Sequence, residues 1–214
     1  MKRILAICAV MAVIMVSPAM VSAMPTLVDF DDASHMEVVN NKYAGLGITF
    51  IGMSGGDVYA YADGSSYPGY SPVSDPQMAY SDDTGIRLDF STPAVSLSLY
   101  GCDYGGLFPE DNEIATLKAF DSFGTLLGST TVQATRGSRT VMVGGNPINM
   151  PTDIAFLSLS GIGEIAYAEF TFTNTVGFFG IDDVEFTPIP APGAILLGSI
   201  GVGLVGWLRR RRTL

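Results

Sequence analysis

The segment Ile86-Arg87-Leu88-Asp89-Phe90 alternates apolar and charged residues, and Val95-Ser96-Leu97-Ser98-Leu99 repeats the alternation after Pro93. Successive side chains of a β-strand point to opposite faces of the sheet, so a period of two predicts a strand with one face on a core and the other in water. Both segments are therefore expected to be strands of a sheet that is covered on one side only.

Short segments of the same kind continue outward in both directions, at residues 27–30, 47–51, 58–61, 115–120, 126–132, 140–143, 154–160, 165–173 and 179–186. Turn-forming clusters separate them, for example Ser54-Gly55-Gly56, Gly144-Gly145-Asn146-Pro147 and Gly161-Ile162-Gly163. Between the two ends of the chain no segment sustains a helical period of 3.6 residues. Many short strands with glycine-rich turns predict one all-β domain, either an antiparallel sandwich or a barrel.

The first 23 residues have the order of an export signal. Lys2 and Arg3 precede an uncharged apolar stretch, residues 4–16, and the small residues Val21-Ser22-Ala23 follow. This order predicts a signal peptide that signal peptidase removes after Ala23, because the apolar stretch is too short for a membrane anchor. Cleavage leaves Cys102 as the one cysteine, so no intramolecular disulfide can form and Cys102 is expected to be buried.

The chain closes with an uncharged apolar run, residues 193–208, which four arginines follow: Arg209, Arg210, Arg211 and Arg212. A helix over this run would be about 24 Å long, against about 30 Å for the hydrocarbon core of a bilayer. The run therefore predicts a short transmembrane helix. The arginines are expected to stop translocation and hold this end in the cytoplasm, which leaves the preceding domain outside.

Pro190-Ala191-Pro192, the apolar run and the arginines, in this order, resemble the PEP-CTERM sorting signal that a membrane-embedded exosortase recognises and cuts. Ala191 stands where the family name has glutamate, although Pro-Ala-Pro variants occur in the family. The resemblance implies an exported protein, first anchored in the inner membrane, then released to the cell surface or the extracellular matrix. A permanent tail anchor is the alternative.

Three further segments resemble the jelly-roll ectodomains that often accompany this sorting signal: residues 43–50, 119–128 and 180–186. They imply a jelly-roll-like β-sandwich. The resulting organisation is a signal peptide at 1–23, a β-sandwich ectodomain at 24–188 and a sorting tail at 189–214. Similar closing strands occur in galactose-binding-like and carbohydrate-binding sandwiches.

The distribution of charge excludes one class of partner. All 21 acidic residues lie between Asp29 and Glu185, and the bases that accompany them are only Lys42, Arg87, Lys118, Arg136 and Arg139. A surface this acidic repels phosphate backbones, so nucleic-acid binding is excluded.

Acidic residues cluster at the first and last predicted strands, which usually lie together in a jelly roll. Carboxylates at short range repel one another, and calcium, which takes six to eight oxygen ligands, would relieve that repulsion. We therefore predict a structural calcium site at Asp29, Asp31, Asp182 and Asp183. The alternative is that these acids are ordinary solvated residues at strand ends.

Five tyrosines, Tyr59, Tyr61, Tyr67, Tyr70 and Tyr80, fall in one segment rich in Gly, Ser and Pro. Exposed aromatic faces stack on the apolar faces of sugar rings, so Tyr67 and Tyr70 are predicted sugar contacts if the domain is a carbohydrate-binding module. In the alternative interpretation Tyr59 and Tyr61 line one face of a strand and the others pin a long loop.

Catalytic signatures are sparse. His35 is the one histidine, no Gly-x-Ser-x-Gly turn is present, and a zinc site would need several His or Cys ligands. Nothing singles out a pair of carboxylates for glycoside hydrolysis. The sequence thus predicts a non-enzymatic exported protein, and the resemblance to the sorting signal implies an association with exopolysaccharide or biofilm. A carbohydrate-binding module is the main alternative, and a polysaccharide-acting enzyme the second.

Overall fold

A computed structural model of the chain describes residues 23–62, 77–103, 114–143, 146–173 and 179–189, together with Gly201 and Gly203. One compact unit, Met24–Ile189, contains every strand. The second unit consists of Met1–Ala23 and Pro190–Leu214. The predicted signal peptide before Ala23, the sorting motif Pro190-Ala191-Pro192 and the four arginines lie outside the described residues. Within the residues that are described, no helix is both long and apolar enough to cross a membrane.

The compact unit is built from antiparallel strands and, among the described residues, one 3-10 helical turn at Ala44–Leu46. The strands are β1 (Thr26–Val28), β2 (Ile48–Gly52), β3 (Tyr59–Ala62), β4 (Gln77–Ser81), β5 (Ile86–Asp103), β6 (Ile114–Phe120), β7 (Leu126–Gln133), β8 (Thr135–Val143), β9 (Asn146–Thr173) and β10 (Phe179–Pro188). The predicted all-β antiparallel class is confirmed.

Strands β5 and β9 are long enough to run through two sheets. Residues 86–89 of β5 pair with residues 167–170 of β9, and residues 96–103 pair with residues 153–160. The register of β5 breaks on either side of Ala94, beside Pro93, which has no N–H to donate to a ladder. In β9 the bend falls at Gly161 and Gly163, whose φ values of 68° and 113° suit glycine. The predicted turn at Gly161-Ile162-Gly163 is therefore a bend within one strand.

The ten strands are connected in one hydrogen-bonded sheet, and the two bends divide it into two parts, which we call the β6 sheet and the β10 sheet. The β6 sheet contains, in order, β2, residues 86–90 of β5, residues 165–173 of β9, β6 and β7. The β10 sheet contains β3, β4, β10, residues 94–103 of β5, the earlier part of β9, and β8. Strand β1 pairs with the same edge of β10 as β4 does. The architecture is sandwich-like.

One continuous apolar core contains residues from both sheets. Leu88 and Phe170 come from the β6 sheet, while Leu97, Leu157 and Phe186 come from the β10 sheet, and all are buried. Full burial of each such side chain stabilises the fold by about 1.5–3 kcal/mol relative to exposure. Since no disulfide is available among the described residues, this core supports the fold as expected, and Cys102 is buried as predicted.

The structure adds one strand and lengthens others. Strand β4 was not predicted, because all five of its residues are buried and its sequence does not alternate. It places Tyr80 in a sheet, so the interpretation of Tyr80 as a loop residue is wrong. Strand β8 begins at Thr135, five residues before the predicted start.

Candidate functional site

The outer face of the β10 sheet is set by the alternation of β5. Leu97 and Leu99 are fully buried in the core. Their neighbours Ser96, Ser98 and Tyr100 therefore point to the opposite face of the sheet. A strand that is covered on one side only is expected to carry polar residues on its open face, and the serines of β5 do so.

Strand β9 extends the same pattern, because paired residues lie side by side on one face. The register joins Ser96 with Ser160, Ser98 with Ser158, and Tyr100 with Phe156. The intervening Leu157 and Leu159 are buried in the core. The outer face thus has two rows of hydroxyl groups and, next to them, one row of aromatic rings.

The aromatic row is the apolar part of this face. The rings of Tyr100 and Phe156 lie 4.9 Å apart between centroids, at an interplanar angle of 50°. Phe156 is 51% exposed, although a ring of this size is usually buried when it supports a core. An exposed ring beside hydroxyl groups can stack on the apolar face of a sugar while neighbouring polar atoms bond its hydroxyls.

Strand β10 forms the other side of the face. Asp182 pairs with Tyr100, and Glu185 pairs with Ser98 after a β-bulge. Glu185 is exposed, whereas Asp182 is buried. Leu27 of β1 lies opposite Glu185 and is exposed as well. The described side chains of this face therefore present a carboxylate, hydroxyls and rings to solvent, and include no lysine or arginine.

A second apolar cluster, formed by Tyr61, Met78, Tyr80 and Cys102, closes the aromatic end of the face. All four side chains are buried, and Tyr59 and Tyr100 pack against them. The prediction that Tyr59 and Tyr61 line one face of a strand is confirmed, since they face Tyr80 and Met78 of β4. The exposed ring of His35 packs edge-on against Tyr61, 4.7 Å between centroids. The predicted sugar contacts Tyr67 and Tyr70 lie outside the described residues.

Strand β1 pairs with β10, so Asp29 follows directly after the residue that pairs with Val184 of β10. Asp182 accepts a hydrogen bond from the backbone N–H of Asp183 at 2.8 Å, and Asp183 itself has a φ of 47°. Asp29 accepts from the N–H of Asp31 at 3.3 Å, and Asp31 accepts from the N–H of Gln77 at 3.3 Å. These carboxylates thus help to shape the bulge and the chain that follows β1.

A metal centre is not evident within the described part of the chain. No group of three or more His, Cys, Asp or Glu side chains there is placed to hold an ion. The Oε1 atom of Gln77, at the start of β4, is buried and has no hydrogen-bond partner among the described residues. The calcium site at Asp29, Asp31, Asp182 and Asp183 stays a prediction.

A basic residue and a tyrosine organise the loop after β1. Lys42 pairs with Glu37 at 3.0 Å and with Asp32 at 3.8 Å. The hydroxyl of Tyr43 donates to Asp32 at 2.6 Å. Burial, followed by this hydrogen bond, raises the pKa of Tyr43. A backbone hydrogen bond from Ser34, together with Lys42, lowers the pKa of Glu37. These charged and polar groups form hydrogen bonds and ion pairs with one another, so we assign them a structural role.

The outer face of the β6 sheet differs from that of the β10 sheet. Phe120 and Tyr167 stack with centroids 4.8 Å apart and nearly parallel planes, and the guanidinium of Arg87 lies 3.9 Å from the Tyr167 ring centre. Arg87 also pairs with Asp89 at 2.7 Å, and this partner raises the pKa of Arg87. The ring faces and charges here are engaged with each other, so the β10 sheet is the better candidate for a ligand.

Sequence reasoning missed Tyr100 and Phe156 as site residues. The available signal was the alternation Ile-Ala-Phe-Leu-Ser-Leu-Ser over residues 154–160. If Leu157 and Leu159 are assigned to the core, Phe156 must share the outer face with Ser158 and Ser160. A large ring in a row of serines is an exception to the pattern.

No protein-family model matches the chain, and neither does any curated protein. Among solved structures, the K2 cleaved adhesin domain of Lys-gingipain is similar at 15% identity and a TM-score of 0.45, over 77% of this chain and 99% of that one. The CBM22-1 xylan-binding domain from Paenibacillus barcinonensis is similar at 11% identity and a TM-score of 0.37, over 79% and 97%. CBM27-1 of Caldicellulosiruptor saccharolyticus, solved with mannohexaose, is similar at 16% identity and a TM-score of 0.38, over 79% and 100%.

Proposed function

We propose that the protein binds carbohydrate through the outer face of the β10 sheet. The observation that carries this proposal is the exposed ring of Phe156, paired with Tyr100 and placed on the same face as four serine hydroxyls. An exposed ring beside hydroxyl groups is the combination that a sugar-binding surface uses.

The chemistry of the face suits the two kinds of surface on a sugar. The ring of Phe156 offers an apolar plane for the C–H face of a pyranose. The hydroxyls of Ser98 and Ser158 can each donate and accept, and the exposed carboxylate of Glu185 accepts from two sugar hydroxyls. Binding of this kind requires no metal and no bond cleavage, so the proposed role is non-enzymatic.

The proposed setting is outside the cell, in a jelly-roll ectodomain. The support is the order of sequence features: a signal peptide that ends at Ala23, and a tail in which Pro190-Ala191-Pro192 precedes an apolar run and arginines. Processing by signal peptidase and by exosortase would deliver the domain to the cell surface or an extracellular polysaccharide matrix. There the face described above would meet its ligand.

Replacement of Phe156 by alanine tests the proposal. We expect the Phe156→Ala variant to lose at least tenfold in affinity for a polysaccharide that retards the full-length protein in affinity electrophoresis, which corresponds to about 1.4 kcal/mol. Phe123→Ala is the matched control, because Phe123 is 92% exposed and lies in the β6–β7 hairpin. Melting temperatures of both variants establish that they are folded. Equal binding by Phe156→Ala and the unmodified protein would refute the proposed site.

A further inference from the structure

We infer that the ligand is a neutral polysaccharide that lies in extended form along β5 and β9. The inference rests on the proposed function and specifies the ligand class of the same face. Two observations support it. One is the charge of the side chains on the face, and the other is the direction along the strands in which the face remains exposed.

The charges disfavour an anionic polysaccharide. Glu185 projects into solvent beside Ser98, and Asp183 of the bulge lies two residues before it. Arg87 and Lys118 belong to strands of the β6 sheet, and Arg87 is paired with Asp89. Arg136 and Arg139 belong to β8 at the edge of the β10 sheet, where the side chains lie outside the described part of the chain. Uronate or sulfate groups would lie against the exposed carboxylate of Glu185, a like-charge contact that suppresses binding. Sugar hydroxyls, in contrast, donate to it.

The exposed part of the face extends along the strands. Alternate residues on one face of a strand are about 6.7 Å apart, so the stretch from Phe156 to Ser160 extends about 13 Å along β9. Beyond the aromatic row the next residue of β5 on this face, Cys102, is buried within the second apolar cluster, so β5 offers no exposed side chain at that end, while its partner Ile154 on β9 is half-buried. Ser158 and Ser160 are exposed, so the face stays open in the opposite direction. A chain with one ring on Phe156 would continue over these serines.

The direction can be tested with two bulky substitutions in the full-length protein. Ser160→Trp places a large ring in the inferred path along β9. Leu126→Trp places the same ring on β7, in the β6 sheet and away from the ligand face, and is the control. We expect Ser160→Trp to weaken binding of the neutral ligand at least tenfold and Leu126→Trp to change it less than twofold. Equal binding by Ser160→Trp and the unmodified protein would overturn the inferred direction.

The ligand class is tested by affinity electrophoresis against neutral β-1,4-linked glucan, xylan and mannan, and against polygalacturonate and alginate. We expect retardation by at least one neutral polymer and by neither anionic one. We also expect Glu185→Lys to gain affinity for the anionic polymers at least fivefold, and Glu185→Gln to gain less. Retardation only by anionic polymers would overturn the inferred class while leaving the proposed function intact. Absence of retardation by every polymer would contradict the proposed function itself.

Discussion

Substitution of Gly101 by alanine tests the packing directly beneath the proposed ligand face. Gly101 follows Tyr100 in β5 and points to the core, where an added Cβ would lie 2.6 Å and 2.7 Å from two atoms of the Phe170 ring and 3.2 Å from Phe172. Phe170 is fully buried, and its ring is flanked by Phe172 and Phe179, with centroids at 5.8 Å and 6.0 Å. The ring therefore cannot move away without displacing its neighbours.

The expected magnitude follows from two opposing effects. Overpacking a close-packed core costs about 1–3 kcal/mol, and the lower entropy of the unfolded chain returns about 0.4–1 kcal/mol for glycine to alanine. We expect Gly101→Ala to lower the free energy of unfolding by about 1–2 kcal/mol, measured by urea unfolding with an unchanged m-value.

Gly45→Ala is the control, because an added Cβ there meets no atom within 4 Å and its φ needs no glycine. We expect Gly45→Ala to change the free energy of unfolding by less than about 0.5 kcal/mol. If Gly101→Ala proved as harmless as Gly45→Ala, the described packing of the phenylalanine rings beneath the face would be wrong.

Three further predictions concern the acids and the tail. Asp182→Ala should destabilise the fold by about 1–3 kcal/mol, because it removes the carboxylate that accepts from the partly buried N–H of Asp183. If that is the role of Asp182, EDTA should leave the melting temperature unchanged; an EDTA-sensitive melting temperature would support calcium instead. A hydrogen bond from the Ser54 hydroxyl, and then backbone N–H groups including that of Thr84, lower the pKa of Asp83 to about 2. The contribution of Asp83 to the free energy of unfolding is therefore present above about pH 4 and lost as the pH falls towards 2. Asp83→Asn should flatten the pH dependence of stability in that window, whereas Asp82→Asn should not. Replacement of Arg209 to Arg212 by serine should leave uncut or mislocalised precursor in an exosortase-bearing host, and mature protein that retains Trp207 and the arginines would refute exosortase processing.

The period-two alternation was sufficient to predict most strands, because one face of each meets a core and the other meets water. Residues 86–90 and 95–99 are both in the sheet as expected. The same rule failed for β4, whose Met78 and Tyr80 are buried on the outer face while Ala79 is buried in the core. A strand that is covered on both faces carries no alternation to detect.

The proline and glycine residues between the predicted strands were harder to interpret. Pro93 and the glycines at 161 and 163 are typical of chain reversals, yet they bend β5 and β9 so that each strand serves both sheets. The proposed ligand face depends on register between distant segments, and only the pairing of Tyr100 with Phe156 brings its two rings together. The alternation over residues 154–160 places Phe156 on the outer face, but local patterns contain no information on its pairing with Tyr100, so the complete site could not be predicted from them.

The pairing of β10 has a mechanical consequence. Strand β5 follows one edge of β10 from Phe179 to Pro188, and β4 and β1 divide the other edge between them. Hydrogen bonds of an antiparallel ladder run perpendicular to the strands. Tension applied at Pro188 along the strand would therefore load both ladders in shear, all bonds at once, rather than peel them apart singly. Because Glu185 belongs to this strand and Tyr100 to its neighbour β5, a pull from that end would be borne by the ladder that holds these two residues of the face together.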